Sequence, residues 1–217
     1  MLSLSSIFNR YPDLKIENVL HIGSHECQEL ENYNKFGIKQ ENIQWIEANP
    51  LIIDRIKKSH RGKNLKIVKS VISENDGLTT LHIVSFNKRS SLLLLKNHLV
   101  EHPNILQVYD LVVRSRRIET LIKENEIAIK EKTFLNINIQ GIELSILKSF
   151  GDFDNLATKN LFQNIEAIYI EKNFKELYED CANIYEIDNY LKKYGFHRVD
   201  IVMTQGNDGA FYIKQKE

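Results

Sequence analysis

Hydrophobic positions along this chain switch repeatedly between a spacing of two and a spacing of three to four, and the switches lay out its elements. "NVLHIG" is a short apolar run that stops at Gly23, and "CQELENYNKFG" follows with helical spacing and a glycine past its end. "ENIQWIEANP" repeats the strand pattern as far as Pro50, after which "LIIDRIKKS" continues as an amphipathic helix. "NLKIVKSVIS" reads as a third strand, "NDG" as a turn and "LTTLHIVS" as a fourth strand. "SSLLLLKNHL" then predicts a capped short helix, and "ILQVYDLVVRSRRI" a long strand leading into the helix "ETLIKENEI". "TFLNINI", "GIELSILKSF" and "IEAIYIE" give strand, helix and strand. "NIYEIDNYLKKYG" is a helix ending at Gly195, and "FHRVDIV" and "GAFYIK" are closing strands with no helix between them.

Strands that alternate with helices predict an α/β fold, a mainly parallel sheet covered on both faces. The closing pair predicts an antiparallel hairpin at its edge. In such sheets ligands collect at the carboxyl ends of the strands, near the switch in strand order. "HIGSH", "IEAN", "SVIS", "NIQG" and "YIEKN" all fall at that end. The length suits a single domain over residues 1–217, with no internal repeat or low-complexity linker.

Charge narrows the partners. The 29 basic and 29 acidic residues cancel, so no global field draws the chain to nucleic acid, and none is expected as a partner. No apolar stretch approaches the roughly 20 residues that span a bilayer. The 2 cysteines, Cys27 and Cys181, are too few for a disulfide framework, and the expected setting is the reducing cytoplasm. The 7 histidines include no HExxH pair, and no metal site is expected.

The rim motifs carry the chemistry. Gly23 lets the chain turn tightly after the first strand and aims the following helix start at the crevice, where an anionic group is welcome. Glu47 stands at the tip of the second strand, 24 positions after Gly23, which is close to the spacing of about 20 for a carboxylate that binds ribose hydroxyls. Together these predict a nucleoside-bearing cofactor, either a nicotinamide dinucleotide or S-adenosylmethionine. A dinucleotide site uses three glycines to approach the pyrophosphate. Here Ser24, His25 and Cys27 occupy the turn, which favours the smaller cofactor.

"VLHIGSHECQELENYNKFGI", "IQWIEANP", "SVISENDG", "RRIETLI", "FLNINIQGIELSILKSF" and "IEAIYIEKNFKELYEDC" together resemble, in order and spacing, the FkbM family of S-adenosylmethionine-dependent methyltransferases. The resemblance implies a class I methyltransferase (Rossmann-like) fold, a three-layer sandwich around a mainly parallel seven-stranded sheet. It also implies O-methylation of a hydroxyl on a sugar, glycan or related small molecule. It would lay Gly23, Ser24 and His25 along the methionine moiety, Glu47 under the ribose, and Val71 and Ile72 near the adenine, with His21, Ala48, Asn138 and Gln140 completing the cofactor set. Two positions depart from the family in the first turn, His21 where Asp is usual and Cys27 where Gly is common.

A third departure bears on catalysis. The family pattern Asp-x-Gln/Glu-Gly-x-Glu appears here as Asn138, Gln140, Gly141 and Glu143, so a carboxylate has become an amide. Transfer of a methyl group to a hydroxyl needs the acceptor oxygen in line and its proton removed. Asn138 cannot take that proton, although it can orient the hydroxyl. Three readings stay open: Asn138 only orients, another group is the base, or catalysis is lost and a cofactor-binding module remains. Glu171, at the end of the neighbouring strand in "YIEKN", is the first candidate for a replacement base, and His25 on the cofactor turn is the second. His98, Tyr178 and Phe174 are candidates to meet the acceptor, with Glu171.

Overall fold

The computed structural model describes residues 9–59, 64–85, 89–152, 154–172, 176–202 and 208–215, and the side chains of 98, 99 and 202 stand outside that description. Strands β1 (Asn18–Ile22), β2 (Ile43–Glu47), β3 (Lys66–Lys69), β7 (Thr133–Ile137), β8 (Ile165–Glu171), β9 (Phe196–Val202) and β10 (Gly209–Lys214) form a seven-stranded sheet. Its order is β3-β2-β1-β7-β8-β10-β9. β10 runs antiparallel to β8 and β9, and the other pairings are parallel. The closing hairpin is therefore present, with β10 inserted beside β8 and β9 at the edge.

Strand alternation sends Leu20 and Ile22 of β1 to one face and Val19 and His21 to the other. Leu20 and Ile22 join a core that includes Ile118 and Leu121 of α4 (Ile118–Lys123), Ile146 and Leu147 of α5 (Glu143–Lys148), Phe162 of α6 (Leu156–Gln163) and Ile187 and Leu191 of α7 (Ile184–Lys192). Val19 joins a second core with Trp45, Phe134, Tyr33 of α1 (Leu30–Lys35) and Ile52 and Ile56 of α2 (Pro50–Lys58). Central strands buried on both faces are what a parallel sheet between helices requires. Helix ends are set locally: the Asn49 side chain accepts the Leu51 N–H ahead of Pro50, and Asn183 and Glu186 form a reciprocal capping box on α7.

Three expectations need correction. "NLKIVKSVIS" is not one strand but two, β3 in the main sheet and β4 (Val71–Ile72) in a second sheet formed with β5 (Gly77–Val84) and β6 (Gln107–Arg116) in the order β4-β6-β5. The break is at Ser70, whose N–H still bonds the Glu47 carbonyl at 3.1 Å while Val71 and Ile72 pair with Ser115 and Arg116. The expected fourth strand, β5, likewise pairs with β6 outside the main sheet. The helix expected over "SSLLLLKNHL" is confined to α3 (His98–Glu101). Ser91 exchanges backbone bonds with His82 at 2.8 and 3.2 Å, and Lys96 N–H bonds Leu177 O at 2.8 Å. Those tertiary partners take the groups a helix would have used.

Candidate cofactor and acceptor site

A cavity of about 290 Å³ opens at the carboxyl ends of β1, β2, β7 and β8. Its first wall is the turn after β1. The Gly23 and Ser24 N–H groups both bond Ile46 O, at 2.9 and 3.0 Å, and Asn138 N–H bonds Ile22 O at 2.9 Å. Three neighbouring strand tips are thus tied to one another through the main chain. Gly23 has φ +82°, and a Cβ there would stand 2.1 Å from the Asn138 carbonyl oxygen, so conformation and space both demand glycine.

Glu47 closes the same wall. Its Oε2 accepts the His25 N–H at 2.7 Å and its Oε1 accepts the Asn49 N–H at 2.8 Å. Burial pushes its carboxyl above the usual carboxylate range, against the pull of these backbone donors. Each oxygen keeps lone-pair capacity for a further donor. Beyond it Val71, Ile72, Ile46, Leu81 and Ile142 make the cavity's apolar lining.

The opposite wall comes from the tips of β7 and β8. Asn138 and Gln140 line the cavity, as does Glu171 at the end of the next strand. Gly141, at φ +87°, donates its N–H to Glu143 Oε1 at 2.9 Å. Glu143 itself is buried, and its Oε2 meets the buried Lys172 ammonium at 3.3 Å. The motif therefore divides: its first half faces the cavity and its second half is packed behind it. A segment around Ser91 completes this wall, with the Ser91 hydroxyl donating to Gln140 O at 2.5 Å.

Ten expected residues come together on the cavity: Gly23, Ser24, His25, Glu47, Ala48, Val71, Ile72, Asn138, Gln140 and Glu171. His21 does not join them. It points into the second core, stacks on Trp45 with ring centres 4.9 Å apart, and holds the Tyr33 hydroxyl at Nδ1 at 3.0 Å. Strand alternation explains this, since Ile22, not His21, faces the cavity side. Tyr178 sits behind the wall, its hydroxyl donating to Arg89 O at 2.9 Å. The His98 side chain and Phe174 lie outside the described residues. Missed by sequence reasoning were Asn49, Ser70, Arg89, Ser91 and Asp208, which also line the cavity. Only Asn49 had a signal, as the cap residue before Pro50.

The acidic residues Glu29, Glu47, Glu171 and Asp208 line the cavity against the basic Arg89 among the described residues. Such a field welcomes a cationic group and opposes a pyrophosphate. A buried carboxylate able to hold hydroxyls, an apolar slot and an acidic wall suit S-adenosylmethionine, with its ribose, adenine and sulfonium.

The family model described as the methyltransferase FkbM domain matches residues 21–198. The chain belongs to the FkbM methyltransferase family. S-adenosylmethionine is accordingly its cofactor. Among solved structures, the chain is similar to a methyltransferase FkbM from Methylobacillus flagellatus KT, with 14% identity and a TM-score of 0.53. The match covers 91% of this chain but 43% of that one, so the chain spans less than half the length of this relative. It also resembles a magnesium protoporphyrin IX methyltransferase from Synechocystis PCC 6803 solved with bound S-adenosylmethionine, at 8% identity, 98% and 77% coverage and a TM-score of 0.48. No curated protein matches the sequence. The mainly parallel sheet and the first of these likenesses agree on a class I methyltransferase fold.

Proposed function

We propose that this FkbM-family chain, acting as one domain, is an O-methyltransferase for a hydroxyl of a sugar or glycan, with Glu171 as the base. The observation that carries this reading is the placement of Glu171 and Asn138 on adjacent strand tips, in the same cavity as Gly23 and Glu47. Bound in the cavity, S-adenosylmethionine supplies an electrophilic sulfonium methyl group. Glu47 would accept hydrogen bonds from the ribose hydroxyls with the lone pairs its backbone donors leave open, Gly23 to His25 would hold the methionine end, and Val71 and Ile72 would hold the adenine. Asn138 would hydrogen-bond and orient the acceptor hydroxyl, and Glu171 would take its proton as the oxygen–methyl bond forms and the methyl–sulfur bond breaks, with the neutral thioether S-adenosylhomocysteine as the leaving product.

An acidic cavity speaks against the nicotinamide alternative, whose pyrophosphate would face Glu29, Glu47 and Glu171. No helix among the described residues is long and apolar enough to cross a membrane. Free Cys27 and Cys181 accord with a reducing cytoplasmic setting.

The test is incubation with S-adenosylmethionine carrying an isotopic label on its methyl group, over a panel of sugars and oligosaccharides, with Glu171→Gln beside the wild type. Label on an acceptor hydroxyl, lost in the variant, is the expected result. Cofactor binding by calorimetry with no transfer to any acceptor, unchanged by Asn138→Asp, would overturn the sugar assignment. Transfer gained only in Asn138→Asp would mark the natural chain as a binding module.

A further inference from the structure

Behind the acceptor wall lie two charged side chains almost without solvent, Glu143 at 2% exposure and Lys172 at 4%. Neither lines the cavity, yet among the described residues their ties to Gly141, to each other and to Asp208 end on segments that do. Glu143 Oε1 holds the Gly141 N–H at 2.9 Å, directly after cavity residues Asn138 to Gln140. Its Oε2 meets Lys172 Nζ at 3.3 Å, directly after Glu171. The Lys172 N–H in turn bonds the Asp208 carbonyl at 2.8 Å, and Asp208 lines the cavity from the turn into β10.

A buried ion pair seldom outweighs apolar residues of the same volume in stability, because both charges must be stripped of water. Its geometric effect is different. Nζ and Oε2 join two chain segments that are distant in sequence, the Lys172 main-chain N–H holds the third at Asp208, and together these ties fix the spacing of the side chains those segments carry. We propose that the Glu143–Lys172 pair is a positioning device for the acceptor wall, setting Glu171 and Asp208 against Asn138 and Gln140 without touching the reacting atoms. The proposal rests on the methyl-transfer reading above.

S-adenosylmethionine and S-adenosylhomocysteine differ by a methyl group and one positive charge. Their relative affinity therefore reads where the wall's carboxylates stand, since a unit charge at 8 Å in a partly desolvated site interacts by about 2 kcal/mol. The experiment compares wild type, Glu143→Gln, Lys172→Met, the double variant and Lys172→Arg by thermal melting and by calorimetric affinity for both nucleosides. The single variants should melt lower, because each leaves a buried polar group without its partner. The double variant removes both charges and keeps a carbonyl for the Gly141 N–H. It should recover the melting temperature and the S-adenosylhomocysteine affinity, while its preference for S-adenosylmethionine over S-adenosylhomocysteine shifts by at least about threefold. Lys172→Arg keeps the ion pair and should keep the wild-type preference.

A stable double variant with the wild-type preference would overturn the positioning role and leave the pair purely structural. Should the double variant fail to fold, Lys172→Arg decides: a preference shifted threefold with the pair retained also overturns it. Failure of the methyl-transfer reading would be seen separately in the wild type, as absence of binding of either nucleoside or as binding without transfer of label to any acceptor.

Discussion

At the tips of β1 and β2 the cavity is held by main-chain amides that bond the neighbouring strand or the Glu47 carboxylate, whereas behind the tips of β7 and β8 a buried side-chain ion pair is added to the main-chain bonds. On the first wall the Gly23, Ser24, His25 and Asn49 amides bond either Ile46 O or the Glu47 carboxylate. On the second, Glu143 and Lys172 join loops that are distant in sequence. The first wall can recognise a constant ligand with little room for variation. The second depends on side chains that substitution can change, which suits the half proposed above to meet an acceptor.

The largest expected effect breaks the first wall. Gly23→Ala places a Cβ 2.1 Å from the Asn138 oxygen at a φ of +82°. Destabilisation of at least about 3 kcal/mol is expected, with loss of S-adenosylmethionine binding, read by thermal melting and calorimetry. A stable, binding variant would show that the strand tips are not locked. Next comes Glu171→Gln on the second wall. Turnover should fall about 100- to 10,000-fold with cofactor affinity unchanged. Equal turnover would clear Glu171 of the base role. Glu47→Ala returns to the first wall, removing the acceptor for two backbone amides and the ribose. Cofactor affinity should weaken roughly 100-fold, the equivalent of one or two charge-assisted hydrogen bonds. Wild-type affinity in that variant would sink the ribose assignment.

The two walls also differed in how far the sequence revealed them. Gly23 and Glu47 are tips of adjacent parallel strands, so their spacing along the chain is set by one strand, one helix and two turns, and local pattern is enough. Asp208, Arg89 and Ser91 reach the cavity through contacts such as Ser91 with Gln140 and Lys172 with Asp208, which no local period encodes. The same limit explains the strand that breaks at Ser70, because the alternation of "NLKIVKSVIS" is unchanged where the chain leaves one sheet for another. The missing helix after Ser90 has an equivalent cause, its backbone being claimed by His82 and Leu177. His21 was misplaced for a different reason: alternation separates it from Ile22, but the residues alone do not say which face the cavity is on.

His21 supports the smallest prediction, and it sharpens the contrast between a neutral buried group behind the first wall and a charged pair behind the second. Tyr33 O–H receives a hydrogen bond from Asn136 Nδ2 at 2.8 Å, so its own proton is free to go to His21 Nδ1 at 3.0 Å. That arrangement requires an unprotonated Nδ1, hence a neutral ring. Complete burial pushes the His21 pKa down from 6.5 to about 3. The unfolded chain therefore binds a proton that the folded chain refuses wherever the pH lies between those values. Stability from this group is fully present above pH 6.5 and is lost progressively as pH falls toward 3. Between pH 7 and pH 5 the loss attributable to His21 is about 2 kcal/mol. In His21→Phe the ring still covers Trp45 but cannot titrate, so its unfolding free energy should fall by that much less over the same interval, whatever its absolute stability. Denaturant unfolding of both proteins at the two pH values measures the difference. Identical pH dependence would mean that His21 takes up its proton in the folded state, with the Tyr33 hydrogen bond reversed or broken.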